Sequence, residues 1–196
     1  MKVGDDHDRD MKKINKFRSI CGQEVYLRVD ASGTWEEMEA IEKINRMPRV
    51  GVNACESPLI AVNHVFANDN PERINKNAEK TAVAIVKVRE KFPINIIEHF
   101  VDLDDGFTSS LFKHKVVDIV NIVPSQGGGL RRRQRLSHTS QTSNIPALLG
   151  SSVKLGIGAS TFVHLVVSSE NAKLPSDWVG LGLLTDDINH EPFIYQ

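Results

Sequence analysis

Apolar and polar residues alternate from Gln23 to Asp30, with Val25, Leu27 and Val29 at every second position, and that period predicts a strand. Ser32-Gly33 ends it. Thr34 followed by Glu37 has the spacing of a capping box, in which each side chain satisfies a free amide of the other at a helix start. Trp35, Met38, Ile41 and Ile44 then recur at helical spacing until Pro48 stops the helix. The apolar run Pro58 to Phe66 predicts a second, central strand. Asn70-Pro71 opens the longest helix, with Ile74, Ala78, Ala82 and Ile85 on one face and Phe92-Pro93 at its close. Ile94 to Leu103 fits strand or helix equally. Val116, Val117, Ile119 and Ile122 mark Lys113 to Val123 as a strand. Val153 to Ser168 and Val179 to Leu184 predict a closing pair of strands joined across Pro175, the first bent at Gly156 and Gly158. Helices early and strands late predict an α+β fold: a mostly antiparallel sheet with two or three helices packed on one face.

Two stretches break this pattern. Residues 1–19 place Asp5, Asp6, Asp8 and Asp10 beside Arg9, Lys12, Lys13, Lys16 and Arg18, which predicts a flexible charged arm ahead of a single domain over 20–196. Residues 124–146 run from Pro124 through three glycines and four arginines to Asn144-Ile-Pro146, a long polar loop.

Composition narrows the class. The 196 residues carry 24 Lys+Arg against 25 Asp+Glu, a formal charge of −1, and 40% are apolar, so the chain is long and apolar enough for a core. No apolar run approaches the ~18 residues of a membrane span. The acidic start shows no secretory signal, and Cys21 and Cys55 make no disulfide framework, which points to a reducing, cytosolic setting.

Catalytic and metal patterns are sparse. The seven histidines are scattered, and no Gly-x-Ser-x-Gly elbow, Cys-x-x-Cys or His-x-x-x-His occurs. Asp102-Leu-Asp104-Asp105-Gly106 lacks the later glutamate of a calcium loop and reads as an acidic turn. Gly156-Ile-Gly158 has part of a dinucleotide loop, but a strand after it would give no helix terminus for a phosphate. No catalytic residue, metal site or cofactor is therefore expected. The basic residues carry the chemistry instead: Lys113, Lys115, Arg131, Arg132, Arg133 and Arg135, with Lys12, Lys13, Lys16 and Arg18, are expected to grip phosphates of RNA or lipid. Met11, Ile14 and Phe17 would add an apolar anchor. A solvated loop serving solubility or transport is the plainer reading of the same arginines.

Taken together, the segments resemble the matrix protein of rhabdoviruses. Glu24-Val-Tyr-Leu-Arg-Val-Asp-Ala-Ser-Gly-Thr-Trp35 is similar to that family's strand, turn and aromatic-led helix, and Pro58 to Phe66 to the strand that follows. Asn144-Ile-Pro146, Lys154-Leu-Gly-Ile-Gly158, Phe162 to Glu170 and Val179 to Leu184 resemble its later elements. The late-budding motifs Pro-Pro-x-Tyr and Pro-[Thr/Ser]-Ala-Pro do not occur, as a plant-infecting branch would allow. The resemblance implies a non-enzymatic virion protein that binds the ribonucleocapsid and an anionic inner leaflet, in virion and host cytoplasm, with no small-molecule substrate. It also implies self-association through the arm or the loop, for which Met11, Ile14, Phe17, Leu130 and Leu136 are the apolar candidates. The competing readings are a small soluble viral RNA-binding or regulatory protein, and a hydrolase or transferase.

Overall fold

Among the described residues, most strands are followed by a helix. The computed structural model describes residues 1–59, 71–98, 108, 112–126, 128–151, 153–178 and 180–190. It divides into two units, Met1–Ile119 and Val120–Gln196.

In the first unit, α1 spans His7–Cys21, opened by Asp6, whose carboxylate accepts from the Arg9 amide at 2.9 Å, and closed by Gly22 at φ 75°. The segment expected as an arm thus holds a helix. Its buried stripe is Asp10, Ile14 and Arg18, one residue per turn, and two of those three are charged. Strand β1, Arg28–Asp30, is followed by α2, Glu37–Arg46, and by β2, Ala54–Glu56. Helix α2 starts later than the Thr34 cap implies: the Glu36 amide donates to Glu39 Oε2 at 3.4 Å. Trp35 just before it is buried, with Lys43 Nζ 5.1 Å from its ring centre. Pro48 ends the helix by opening a 3-10 turn, Pro48–Val50. Helix α3, Pro71–Lys91, buries Ile85 and Val88 and leads to β3, Asn95–Glu98. The predicted strand over Pro58 to Phe66 has only its first two residues inside the described part, and Asn70 and the Asp102–Gly106 turn lie outside it.

Strand β1 pairs with β2 and β2 with β3, each in parallel: Arg28↔Ala54, Val29↔Cys55, Asp30↔Glu56, then Ala54↔Asn95, Cys55↔Ile96, Glu56↔Ile97. Parallel neighbours need a crossover, which α2 and α3 provide. Val29, Cys55 and Ile96, side by side in that register, are wholly buried.

In the second unit, β4, Ile119–Ile122, and β5, Ala147–Leu149, also pair in parallel, with α4, Gly129–Thr142, as the crossover. Helix α5, Gly156–Ser168, buries Gly156, Ala159, Phe162 and Leu165, and a 3-10 turn follows at Leu181–Leu183.

These pairings overturn the expected mostly antiparallel α+β sheet. The polar loop contains helix α4 and the first closing strand is helix α5, so helices follow strands to the end and every described strand pair is parallel.

Candidate active site

In parallel α/β sheets the backbone amides and loops at the carboxyl ends of the strands form the place where ligands and catalytic groups gather. The three strands β1, β2 and β3 each end on an acid: Asp30 on β1, Glu56 on β2 and Glu98 on β3. The register sets Asp30 beside Glu56, and side chains paired across a parallel ladder share a face. Glu56 and Glu98 are buried.

The surroundings of these acids are cationic and hydroxylic. Lys2 forms an ion pair with Asp30 Oδ2 and donates to Ser32 Oγ at 2.9 Å. Asp30 Oδ1 accepts from the Ser32 amide at 2.7 Å and from Ser32 Oγ at 3.2 Å. Arg28 Nε lies 3.6 Å from Glu56 Oε2. Ser57 Oγ donates to Glu98 Oε2 at 3.1 Å. Ser32 and Ser57, which follow β1 and β2, both sit in left-handed backbone at φ 52° and 44°. Non-glycine residues persist there only where surrounding contacts overdetermine them, a condition common at functional sites.

The thiol of Cys55 reads the same charge. Burial pushes it well above its ordinary value, and Glu98, Asp30 and Glu56 push it further in the same direction. The acids that end all three strands are thus near enough to raise the thiol of the middle one. Two outcomes are expected. Cys55 stays unalkylated in the folded chain while exposed Cys21 reacts, so mass spectrometry after iodoacetamide should count one adduct natively and two in denaturant. Since the folded thiol holds its proton longer than the unfolded one, its contribution to stability is complete below the ordinary thiol range and is lost as pH rises above it.

Three carboxylates with neighbouring hydroxyls make a hard-oxygen donor set of the kind that suits magnesium. Among the described residues no three acidic, histidine or cysteine side chains close around a single point, and Lys2 and Arg28 lie against Asp30 and Glu56. The set suits such an ion in donor type and in its place on the strands, and its side chains would have to turn toward one another to hold one.

Strand β4 in the second unit carries a buried amide, Asn121, which neither gains nor loses a proton near neutral pH. A Cβ at Gly150, just after β5, would lie 2.5 Å from Asn121 Oδ1, so glycine is required for that approach. The Gly156-Ile-Gly158 segment was set aside as strand, yet it opens helix α5. The Gly156 amide donates to the Asp187 carboxylate at 2.9 and 3.0 Å, so the chain's own acid takes that terminus.

The basic residues singled out from sequence lie on several different elements. Lys12 and Lys16 are exposed on α1, and Lys13 pairs with Asp10 at 2.8 Å. Arg18 is buried, donating to the carbonyls of Gly22 at 2.9 Å, Val25 at 2.6 Å and Gly51, and to Asn53 Oδ1 at 3.1 Å. Lys113 and Lys115 are exposed, and the Lys115 carbonyl accepts from Arg89 at 2.9 Å. On α4, Arg131 and Arg135 are exposed, Arg132 is half-buried and Arg133 is buried. Of the apolar candidates, Ile14 and Leu136 are interior, Met11 and Phe17 half-buried, and Leu130 exposed. Sequence reasoning passed over Glu56 and Glu98, and treated Asp30 only as a strand end. The available signal was an acid closing each short apolar strand, in Leu-Arg-Val-Asp30, Asn-Ala-Cys-Glu56 and Asn-Ile-Ile-Glu98.

The family model described as "Enolase C-terminal domain-like" matches residues 1–196. Chloromuconate cycloisomerase of Cupriavidus pinatubonensis is 22% identical over 183 residues, covering 93% of this chain and 45% of the relative. The crystal structure of muconate cycloisomerase from Pseudomonas fluorescens superposes with a TM-score of 0.82 at 19% identity, over 100% of this chain and 49% of that one. Dipeptide epimerase from Enterococcus faecalis V583, solved with Mg and the dipeptide L-Leu-L-Tyr, superposes with a TM-score of 0.69 at 20% identity, over 87% of this chain and 44% of that one. The chain spans a little under half the length of each. The fold is the TIM-barrel-like α/β fold of these proteins.

These likenesses overturn the matrix-protein reading, with its virion setting, its ribonucleocapsid and membrane partners, and its exclusion of enzymatic activity and of small-molecule substrates. Among the described residues no helix is long and apolar enough to cross a membrane. The texture that suggested a matrix protein, a strand, a turn and an aromatic-led helix, belongs equally to a βαβ unit.

Proposed function

Since the chain belongs to the enolase C-terminal domain-like family, we propose that it carries the carboxylate-bearing part of an acid–base isomerase site for a small carboxylate substrate, of the cycloisomerase or epimerase class. The observation that supports this most is the run of Asp30, Glu56 and Glu98 closing successive parallel strands. Cycloisomerisation and epimerisation both move a proton at a carbon beside a carboxylate or carbonyl, and the difficulty is the negative charge left on that group. Sites of this superfamily pair a lysine or histidine base with magnesium, which when bound neutralises that charge. Asp30, Glu56 and Glu98 are the residues that would hold the ion.

Lys2 is the proposed proton carrier. Its ammonium is held by Asp30 and Ser32 at the mouth of the site, so it has a fixed place from which to exchange a proton. Acting as base it takes the proton, and the C–H electron pair moves into the adjacent carboxyl group. A proton then delivered from solvent to the opposite face inverts the carbon, as epimerisation requires, whereas return to the same face restores the substrate. Arg28 beside Glu56 holds that buried carboxylate in place.

The test is solvent deuterium exchange, followed by NMR, into a panel of dipeptides and muconates incubated with the chain and Mg²⁺ in D₂O. Incorporation at the carbon beside the carboxylate is the expected result. No incorporation into any member of either class counts against the proposal.

A further inference from the structure

Helix α5 differs from the other described helices in what its sequence lacks. Gly156–Ser168 holds no Asp, Glu, Lys or Arg, whereas α1, α2, α3 and α4 are all charged. Its inner side is taken by Ala159, Phe162 and Leu165. Outward, Ile157, Ser160, His164 and Val167 recur at alternating spacings of three and four, so they form one stripe along the helix. Both ends of that stripe are apolar and open, Ile157 at 63% and Val167 at 81% exposure. The neighbouring hydroxyls make little demand on water: Thr161 Oγ1 donates to Ile157 O at 3.0 Å, and Ser168 Oγ to Leu165 O at 3.2 Å. An uncharged face whose flanking hydroxyls are already bonded costs little to bury, and its exposed apolar side chains gain by burial.

We infer that the outer face of α5 is a docking surface for a second copy of this chain, joined antiparallel about a twofold axis that crosses the helix. A twofold contact sets a surface against itself, so a charged helix meets its own sign and α5 does not. Antiparallel order puts Ile157 against the partner's Val167, and the Ser160 hydroxyl against the partner's His164, an imidazole that can accept its proton. The first charged residues beyond the two ends, Lys154 and Glu170, are opposite in sign, so the same order brings unlike charges together at both rims. Parallel order sets each of these against its own copy. The stripe is about 20 Å long, less than a stable interface needs, so the association is weak, in the micromolar range or above. The inference is independent of the proposed reaction.

Sedimentation velocity of the full chain, from about 1 µM to about 1 mM, should show a monomer–dimer equilibrium. Ile157→Lys and Val167→Glu each place an unpaired charge on the face, so each variant alone should stay monomeric over that range. Both side chains are exposed, so the thermal midpoints should not change. Mixed in equal amounts, the two variants should dimerise again, because antiparallel order brings the two introduced charges together and leaves the other Ile157–Val167 contact intact. A wild-type chain that stays monomeric, or a dimer that either single variant retains, overturns the inference. So does a mixture that stays monomeric, which contradicts the antiparallel order.

Discussion

Asp30→Asn is expected to lower deuterium exchange into substrate by about a thousandfold, the scale on which removing one charge aimed at the reacting group acts, while leaving the thermal midpoint nearly unchanged. The two halves of that expectation have separate causes. Catalytically, Asp30 both closes β1 among the three acids and holds Lys2, so the amide removes a negative charge and the partner of the proton carrier together. For stability, the Lys2–Asp30 pair involves a lysine that is 75% exposed, and pairs of that kind contribute only ~0–1 kcal/mol. Glu56→Gln should lose activity to the same degree but unfold earlier, because it leaves Arg28 half-buried opposite a neutral group. A folded Asp30→Asn protein retaining wild-type exchange would show that these acids do not act on the substrate.

The second large effect lies in α1. Arg18→Ala should destabilise the chain by about 3 kcal/mol or more, since it leaves carbonyls at Gly22, Val25 and Gly51 and the Asn53 amide oxygen without their shared donor. For a chain of this length that corresponds to a drop of about 10 °C in Tm. Arg18→Lys keeps the charge but not the planar fork, so it should recover only a small part of the loss in a denaturant melt. Full stability of either variant would show that the guanidinium is not what joins α1 to the turn at Gly51.

Arg18 also shows what the sequence pattern hides. A basic run looks like a phosphate grip as long as its residues are assumed to face water. Helix α1 instead buries a stripe of Asp10, Ile14 and Arg18, and α4 buries Arg133, Leu136, Ser137 and Ser140. Hydropathy cannot detect a helix whose inner face is polar, although the three- and four-residue spacing of those positions is present in the sequence. Helix α5 fails for the opposite reason. Phe162-Val-His-Leu-Val-Val167 is rich in strand-forming residues, while the small residues that let its inner face pack, Gly156 and Ala159, look like interruptions. With α4 taken as loop and α5 as strand, the alternation of strand and helix that demands a parallel sheet disappeared from view.

Where the inner face is apolar, the pattern finds the element more reliably than its bounds or its buried side. The helix stopped at Pro48 and the long helix from Pro71 to Lys91 stand close to where periodicity places them, whereas the strand expected from Gln23 keeps only Arg28–Asp30 and leaves Val25 exposed, and Met38 lies on the outer side of α2. The acids of the site were harder to see, because a carboxylate at a strand end looks like an ordinary solvated terminus until neighbouring strands bring others beside it. Cys55, a packing residue by sequence, is buried on the middle strand, and the acids ending all three strands raise its thiol beyond what burial does.

Calorimetric titration of Mn²⁺, a redox-stable reporter for a hard-oxygen site, into the wild-type chain and into Asp30→Asn, Glu56→Gln and Glu98→Gln tests most directly whether the three acids form one site. A single binding event in the wild-type chain, weakened in all three variants, is the expected result. Binding that is absent from the wild-type chain, or that survives in all three variants, would contradict it.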